Sequence, residues 1–279
     1  MNINNVYIEK RVENHSNTQK ILERIKFQNI IICNSYSEVF NPSNQNFRIQ
    51  KKFPSLILAK KENSFIKETP LDFTIGYKKN YYFSHMLNCP FDCKYCYLQG
   101  MFNSANYLIF VNYEDFFNPI QTLIEKNKEK LCFFSGYDCD SLALENITGF
   151  LENIVNNFHI FDGGVLELRS KSTNVKLLSG IEPFHNLIPA FSLNPQFIIK
   201  EFESGTPNLV KRLSVMKSLQ DKGWNIGVRF DPIIWLGDKS RYESFFKEVF
   251  KDLNTKKIHS ITLGSFRMPT KYLKKLSKI

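Results

Sequence analysis

Three cysteines, Cys89, Cys93 and Cys96, fall within the run Cys-Pro-Phe-Asp-Cys-Lys-Tyr-Cys-Tyr. Thiols this close must share one loop and serve one centre. The set is one ligand short of the four protein thiolates that complete an iron–sulfur cube. A structural zinc ion would also need a fourth Cys or His, and the nearest N-terminal candidate is His85. A three-cysteine cluster with one iron left open to a substrate or cofactor suits the spacing better than zinc. The other three cysteines, Cys33, Cys132 and Cys139, are scattered. This is the pattern of reduced thiols serving a metal, not of a disulfide framework. Cys33 and Cys132 sit inside strand-like segments and read as core residues.

Around that loop the chain alternates between strand-like and helix-like segments. Strands are predicted at 81–87, 131–134, 165–168, 190–193, 226–230 and 258–263. Helices are predicted at 115–126, 141–157, 206–222 and 242–253, with a short basic helix from Tyr272 onward. Thr206 reads as an N-cap followed by Pro207. Six strands with intervening helices predict parallel pairing through right-handed crossovers, hence an α/β open barrel. Residues 1–80 read as a short N-terminal α/β extension, with a helix at 17–26 and strands at 29–33 and 55–59. Residues 81–279 read as the barrel. Polar clusters fall at the C-terminal strand ends, where barrel chemistry sits: the cysteine loop, Ser135-Gly136, Ser170-Lys171, Ser192 to Asn194, and Asp231.

The formal net charge of +10 suggests a polyanionic partner, although its lysines are spread along the chain as they would be on a solvated face. No apolar run is long enough to span a membrane. The N-terminus lacks the basic and apolar regions of a secretory signal, which predicts a cytoplasmic protein.

The C-x3-C-x2-C spacing, with Tyr95 before the third cysteine, resembles the signature of radical S-adenosylmethionine (SAM) enzymes. Further blocks resemble the spore photoproduct lyase branch: Cys-Tyr-Leu-Gln at 96–99, Phe-Ser-Leu-Asn at 191–194 and Ile-Ile-Lys-Glu-Phe-Glu-Ser-Gly-Thr at 198–206. Lys211-Arg212-Leu213, Asp-Pro-Ile-Ile at 231–234 and Ser-Phe-Arg-Met-Pro at 265–269 follow in the family's order. The resemblance implies a partial (β/α)6 radical SAM barrel and a carbon–carbon lyase. Such an enzyme cleaves SAM to a 5′-deoxyadenosyl radical and uses it to reverse a thymine dimer in DNA.

The resemblance also implies roles. Cys89, Cys93 and Cys96 hold a 4Fe–4S cluster. Tyr95 packs on the SAM adenine, Lys171 pairs with the SAM carboxylate, and Ser192 and Asn194 bond the ribose or the methionine end. Glu203 and Arg212 support that pocket or form a helix-cap salt bridge. Tyr97 belongs to a relay that returns hydrogen to the product radical. Counted without gaps from Cys96, Cys139 is the hydrogen donor; aligned on the strand end and Asp140, Tyr137 takes that place. The implied partners are DNA and a flavodoxin or ferredoxin reductant, and the implied state is a monomer. The resembled enzymes continue past the sixth strand into a basic, aromatic-rich extension with a DNA-engaging hairpin, whereas this sequence ends at Ile279. That difference leaves open a different substrate (a small molecule, peptide or RNA) or an inactive iron–sulfur homologue.

Overall fold

The computed structural model describes residues 2–43, 45–158 and 161–277. Six parallel strands, Asn80–Tyr82, Leu131–Phe134, Gly164–Ser170, Leu187–Ser192, Ile226–Ile233 and Ile258–Ser265, pair in chain order within one sheet. This is the predicted (β/α)6 arrangement. Its register brings Tyr81 beside Phe133, Arg169 beside Ala190, and Val228 beside Ile261. The second and fourth of these strands are buried along their whole length, as parallel strands with both faces covered must be. Helices Phe117–Glu125, Phe150–Phe158, Leu209–Asp221 and Lys239–Lys251 cross between strands. The edge at Asn80–Tyr82 carries one short antiparallel strand, Lys67–Glu68.

Charge is buried within this sheet. Glu167 and Arg229 are both fully buried, and the Arg229 guanidinium bonds both Glu167 oxygens at 3.2 and 2.7 Å. Arg229 also donates to the Ser260 carbonyl and hydroxyl, each at 2.9 Å. Arg169 adds a 2.7 Å bond to Glu167 from above.

A second sheet runs in the order Lys26–Cys33, Asn2–Glu9, Leu56–Ala59, Tyr107–Phe110, Met86–Leu87. Two of its strands come from after residue 80, and its Ile3, Val6 and Ile8 share one apolar core with Phe133, Leu166 and Val228. The two sheets are therefore packed through a common interior.

Three sequence expectations are corrected. The strand predicted at 81–87 is two strands in different sheets. The chain crosses between them at residues 83–85, where the Phe83 amide still bonds Phe134 while the His85 carbonyl already accepts from Phe110. The helix predicted at 141–157 breaks at Gly149, whose φ of +58° puts it in the left-handed region, and a Cβ there would strike the Arg24 guanidinium. The helix predicted from Thr206 starts later, at Leu209. Its N-cap is Asn208, whose side chain accepts from the Lys211 amide, because the Thr206 hydroxyl is engaged with Glu203 and Arg212.

Candidate active site

The cysteine loop is held by main-chain and side-chain bonds from four directions. Asn88 turns into it with a φ of +70°, a conformation that asparagine tolerates better than most residues. Its amide donates to the Ser104 and Asn106 carbonyls at 2.8 and 2.7 Å. Lys51, on the helix Phe47–Lys52, donates to the carbonyls of Cys89 (2.6 Å) and Phe91 (2.9 Å). The two-residue strand Asp92–Cys93 pairs antiparallel with Glu203–Ser204. Gln99 reaches back to the Cys93 carbonyl at 2.7 Å. So held, Cys89, Cys93, Cys96 and Cys139 line one cavity of about 130 Å³, and all four are free thiols.

Burial is the main influence on these thiols. It raises the Cys89 thiol well above 9.0 and the Cys93 thiol to about 12, and it raises Cys96 as well. Alone they stay protonated at neutral pH; bound metal is what would draw them out as thiolates. Among the described residues, no three His, Cys, Asp or Glu side chains are gathered as they would be around a single ion. The zinc alternative also lacks its fourth ligand. His85 is stacked on Phe150 at 3.7 Å, and burial lowers its pKa to about 3. An iron–sulfur cube, in which each thiolate holds its own iron, fits this donor set.

One wall of the cavity is ionic. The Tyr95 hydroxyl donates to Glu203, and Asn194 donates to the same carboxylate oxygen at 2.9 Å. Arg212 donates to the other Glu203 oxygen at 2.5 Å and to the Ser192 carbonyl at 2.8 Å. Burial opposes ionisation of Glu203, but Lys171 and Arg212 outweigh it and hold the carboxyl below its usual range. Burial likewise opposes the Lys171 cation, and Tyr95, Cys93 and Glu203 more than offset it. The Lys171 ammonium lies 5.5 Å from the Tyr95 ring centre and, among the described residues, within salt-bridge reach of no carboxylate. It is thus a cation at the cavity wall available to an anionic ligand. Asn194 differs from the expectation. It lies behind Tyr95, borders neither cavity, and fixes Tyr95 and Glu203 in place.

A second cavity, of about 430 Å³, shares Tyr95, Cys96, Tyr97, Gly136, Tyr137 and Arg169 with the first, as well as Lys171 and Ser192. The two are therefore continuous. Tyr97 donates its hydroxyl to the Tyr137 carbonyl. The Tyr137 ring packs on Tyr82 at 4.4 Å and on Phe73 at 5.2 Å. The Cys139 thiol, buried beneath, donates to the Ser135 carbonyl at 3.5 Å. Tyr137 borders both cavities and Cys139 the inner one, so both candidate hydrogen donors reach the reaction space. The outer wall comes from Phe266, Arg267 and Tyr272. There the helix Thr270–Leu276 lies on the helix Leu98–Met101, and a Cβ on Gly100 would stand 2.6 Å from the Tyr272 carbonyl oxygen.

Two organising residues carried no sequence signal as such. Asp140 accepts from the Leu142 and Ala143 amides, from Ser170 Oγ and from the Lys171 amide. It thereby fastens the Cys139 loop to the Lys171 loop. Lys51 is far from the cysteines in sequence, and only the fold brings it to their carbonyls.

The profile of the spore photoproduct lyase family matches residues 1–276. The spore photoproduct lyase of Bacillus subtilis (strain 168) is 26% identical over 265 residues, covering 92% of this chain and 75% of the relative. That of Clostridium acetobutylicum is 25% identical over 213 residues, covering 75% of this chain and 63% of the relative. Among solved structures, a lyase double mutant with bound AdoMet and dinucleoside spore photoproduct superposes with a TM-score of 0.82 at 21% identity, covering 99% of this chain and 82% of that one. The lyase complexed with dinucleoside spore photoproduct gives 0.77 at 20% identity, with the same coverage. At such identities these structures speak for the fold.

Proposed function

Because the chain belongs to the spore photoproduct lyase family, we propose that it is a radical SAM enzyme that repairs the thymine dimer photoproduct of DNA by breaking its inter-base carbon–carbon bond. The observation that carries this reading is the continuity of the thiol-lined cavity with an outer cavity walled by Tyr97, Tyr137, Arg169 and Arg267. When bound, a 4Fe–4S cluster and SAM supply the 5′-deoxyadenosyl radical that takes a hydrogen atom from the substrate. The protein's own residues do the rest. Cys89, Cys93 and Cys96 hold the cluster, Lys171 faces the SAM carboxylate, and Ser192 and Tyr95 shape the bed in which the nucleoside lies. Glu203, neutralised by Arg212, keeps the Tyr95 hydroxyl fixed. Cys139 or Tyr137 returns hydrogen to the product, with Tyr97 anchoring the loop that carries both.

Two outcomes are expected. Lys171→Ala weakens SAM binding by roughly 1.5–3 kcal/mol, the worth of a charge-assisted hydrogen bond; an equilibrium titration giving unchanged affinity removes Lys171 from the site. With Cys139 as donor, Cys139→Ala still breaks the inter-base bond but diverts the product radical to side products, while Tyr137→Phe repairs normally. Product chromatography showing the reverse pattern assigns the donor to Tyr137.

The reading as a whole is tested by anaerobic reconstitution and assay of a dinucleotide photoproduct with SAM and dithionite. Restored thymine is expected. SAM cleavage that leaves the photoproduct intact overturns the substrate assignment.

A further inference from the structure

The proposed chemistry consumes an electron that the protein does not hold, and the cavity side of the cluster loop is taken up by SAM and substrate. The electron must then reach the cluster from the loop's opposite, solvent-facing side. Phe91, half-buried between Cys89 and Cys93, borders both the thiol-lined cavity and a separate surface cavity of about 360 Å³ that reaches Lys211. It is a short path from solvent to the cluster.

The surface on either side of Phe91 has a consistent character. On one side the helix Phe47–Lys52, tied to the loop through Lys51, presents Arg48 and Lys52 to solvent next to Ile49 (58% exposed) and Phe53 (71%). On the other side Lys94, Lys200 and Lys211 are exposed around Val210 (65%). The two sides meet at Asp92, which lies 3.7 Å from Arg48 and pairs with Ser204. Lys94 is drawn over the Phe202 ring at 5.5 Å, and its amide bonds the Phe202 carbonyl. Solvated lysines alone would leave the neighbouring surface polar. Exposed apolar side chains inside a cationic rim instead form the anatomy of a protein-docking patch.

We propose that this face, centred on Phe91, docks a small acidic one-electron carrier protein of the flavodoxin type, which reduces the cluster through the loop. The proposal rests on the iron–sulfur reading of the three cysteines. Charge complementarity selects the partner, since a positive rim steers a negative protein and rejects a basic one. In the transfer step the carrier's hydroquinone is oxidised by one electron to its semiquinone and the cluster is reduced by one electron, with no bond formed or broken. DNA is also an anion, but Arg267 and Tyr272 place the substrate mouth at the outer cavity, whose lining excludes all five rim cations.

The test uses the full chain with its cluster reconstituted anaerobically and a bacterial flavodoxin in its hydroquinone state as the probe. Cluster bleaching by stopped-flow absorbance is followed for the wild type and for Lys52→Glu/Lys211→Glu, two exposed positions whose reversal leaves the fold and the cavities intact. At low salt the reversal slows bleaching and weakens flavodoxin binding by about tenfold or more. In the wild type both fall steeply as salt screens the charges. Bleaching by dithionite, SAM affinity and affinity for a short DNA duplex stay at wild-type values in the variant. Equal bleaching of both proteins by flavodoxin overturns the proposal. A parallel tenfold loss of DNA affinity overturns it too, and assigns the face to nucleic acid. Failure of photoproduct repair alone does not bear on it, because the readout is cluster reduction.

Discussion

Replacing Cys89, Cys93 or Cys96 by Ala abolishes the iron–sulfur absorbance of the reconstituted protein, and all SAM cleavage disappears with it. Each thiol of the set holds a separate iron, so no pair can substitute for three. A fourth thiol does line the same cavity, and it provides the control: Cys139→Ala keeps the cluster, because Cys139 is directed to the Ser135 carbonyl and lies outside the loop. Iron and sulfide analysis with electronic absorption checks both results. Stoichiometric zinc with little iron in the wild type would falsify the cluster assignment, and with it the radical chemistry.

The largest expected effect on stability lies away from the thiols. Arg229→Met leaves Glu167 buried with Arg169 as its remaining cationic partner and costs about 3–5 kcal/mol, as removal of one member of a buried pair does. Replacing both partners, as Glu167→Leu/Arg229→Met, recovers most of that loss, since apolar groups of similar volume need no counter-charge. The pair also gives the protein an acid limit. Burial would raise the Glu167 pKa, but Arg169 and Arg229 more than reverse this and hold it below 4.5. A carboxyl lowered on folding contributes stability above its unfolded pKa and loses it as the pH falls further. Acid unfolding of Arg229→Met therefore begins at higher pH than in the wild type. Urea midpoints across the acid range read both effects, and a single-variant loss below about 1 kcal/mol rules out the buried-pair account.

The sequence made the barrel legible because its strands are short apolar runs separated by amphipathic helices, and all six fall where the runs predicted. The second sheet was less visible. Asn2–Glu9 is interrupted by asparagines, and Tyr107–Phe110 follows the cysteine loop in a stretch that read as a connection. Both strands become strands through pairing with partners far away in sequence, which no local pattern encodes. The crossing at Ser84 and His85 was hidden for the same reason, since it depends on where Phe134 and Phe110 lie. Within the site the thiols, Lys171 and Ser192 were readable because their types carry chemistry at strand ends. Asp140 gave only a register mark and Asn194 only a ligand contact, because their binding of neighbouring loops emerges once those loops are adjacent.

The absence of a side chain at Gly100 has a consequence for how the protein opens. The final helix rests directly on the backbone that follows the third cluster cysteine, and Lys275 pins it through the Phe102 carbonyl and Asn103 at 2.7 Å each. No side chain of that helix is buried. A segment with so little apolar anchorage belongs to the low-stability end of a protein's local openings. Residues 270–276 thus form a removable front panel: when it lifts, Arg267 and Tyr272 leave the outer cavity together and the reaction chamber becomes a groove wide enough for a polymer to lie across.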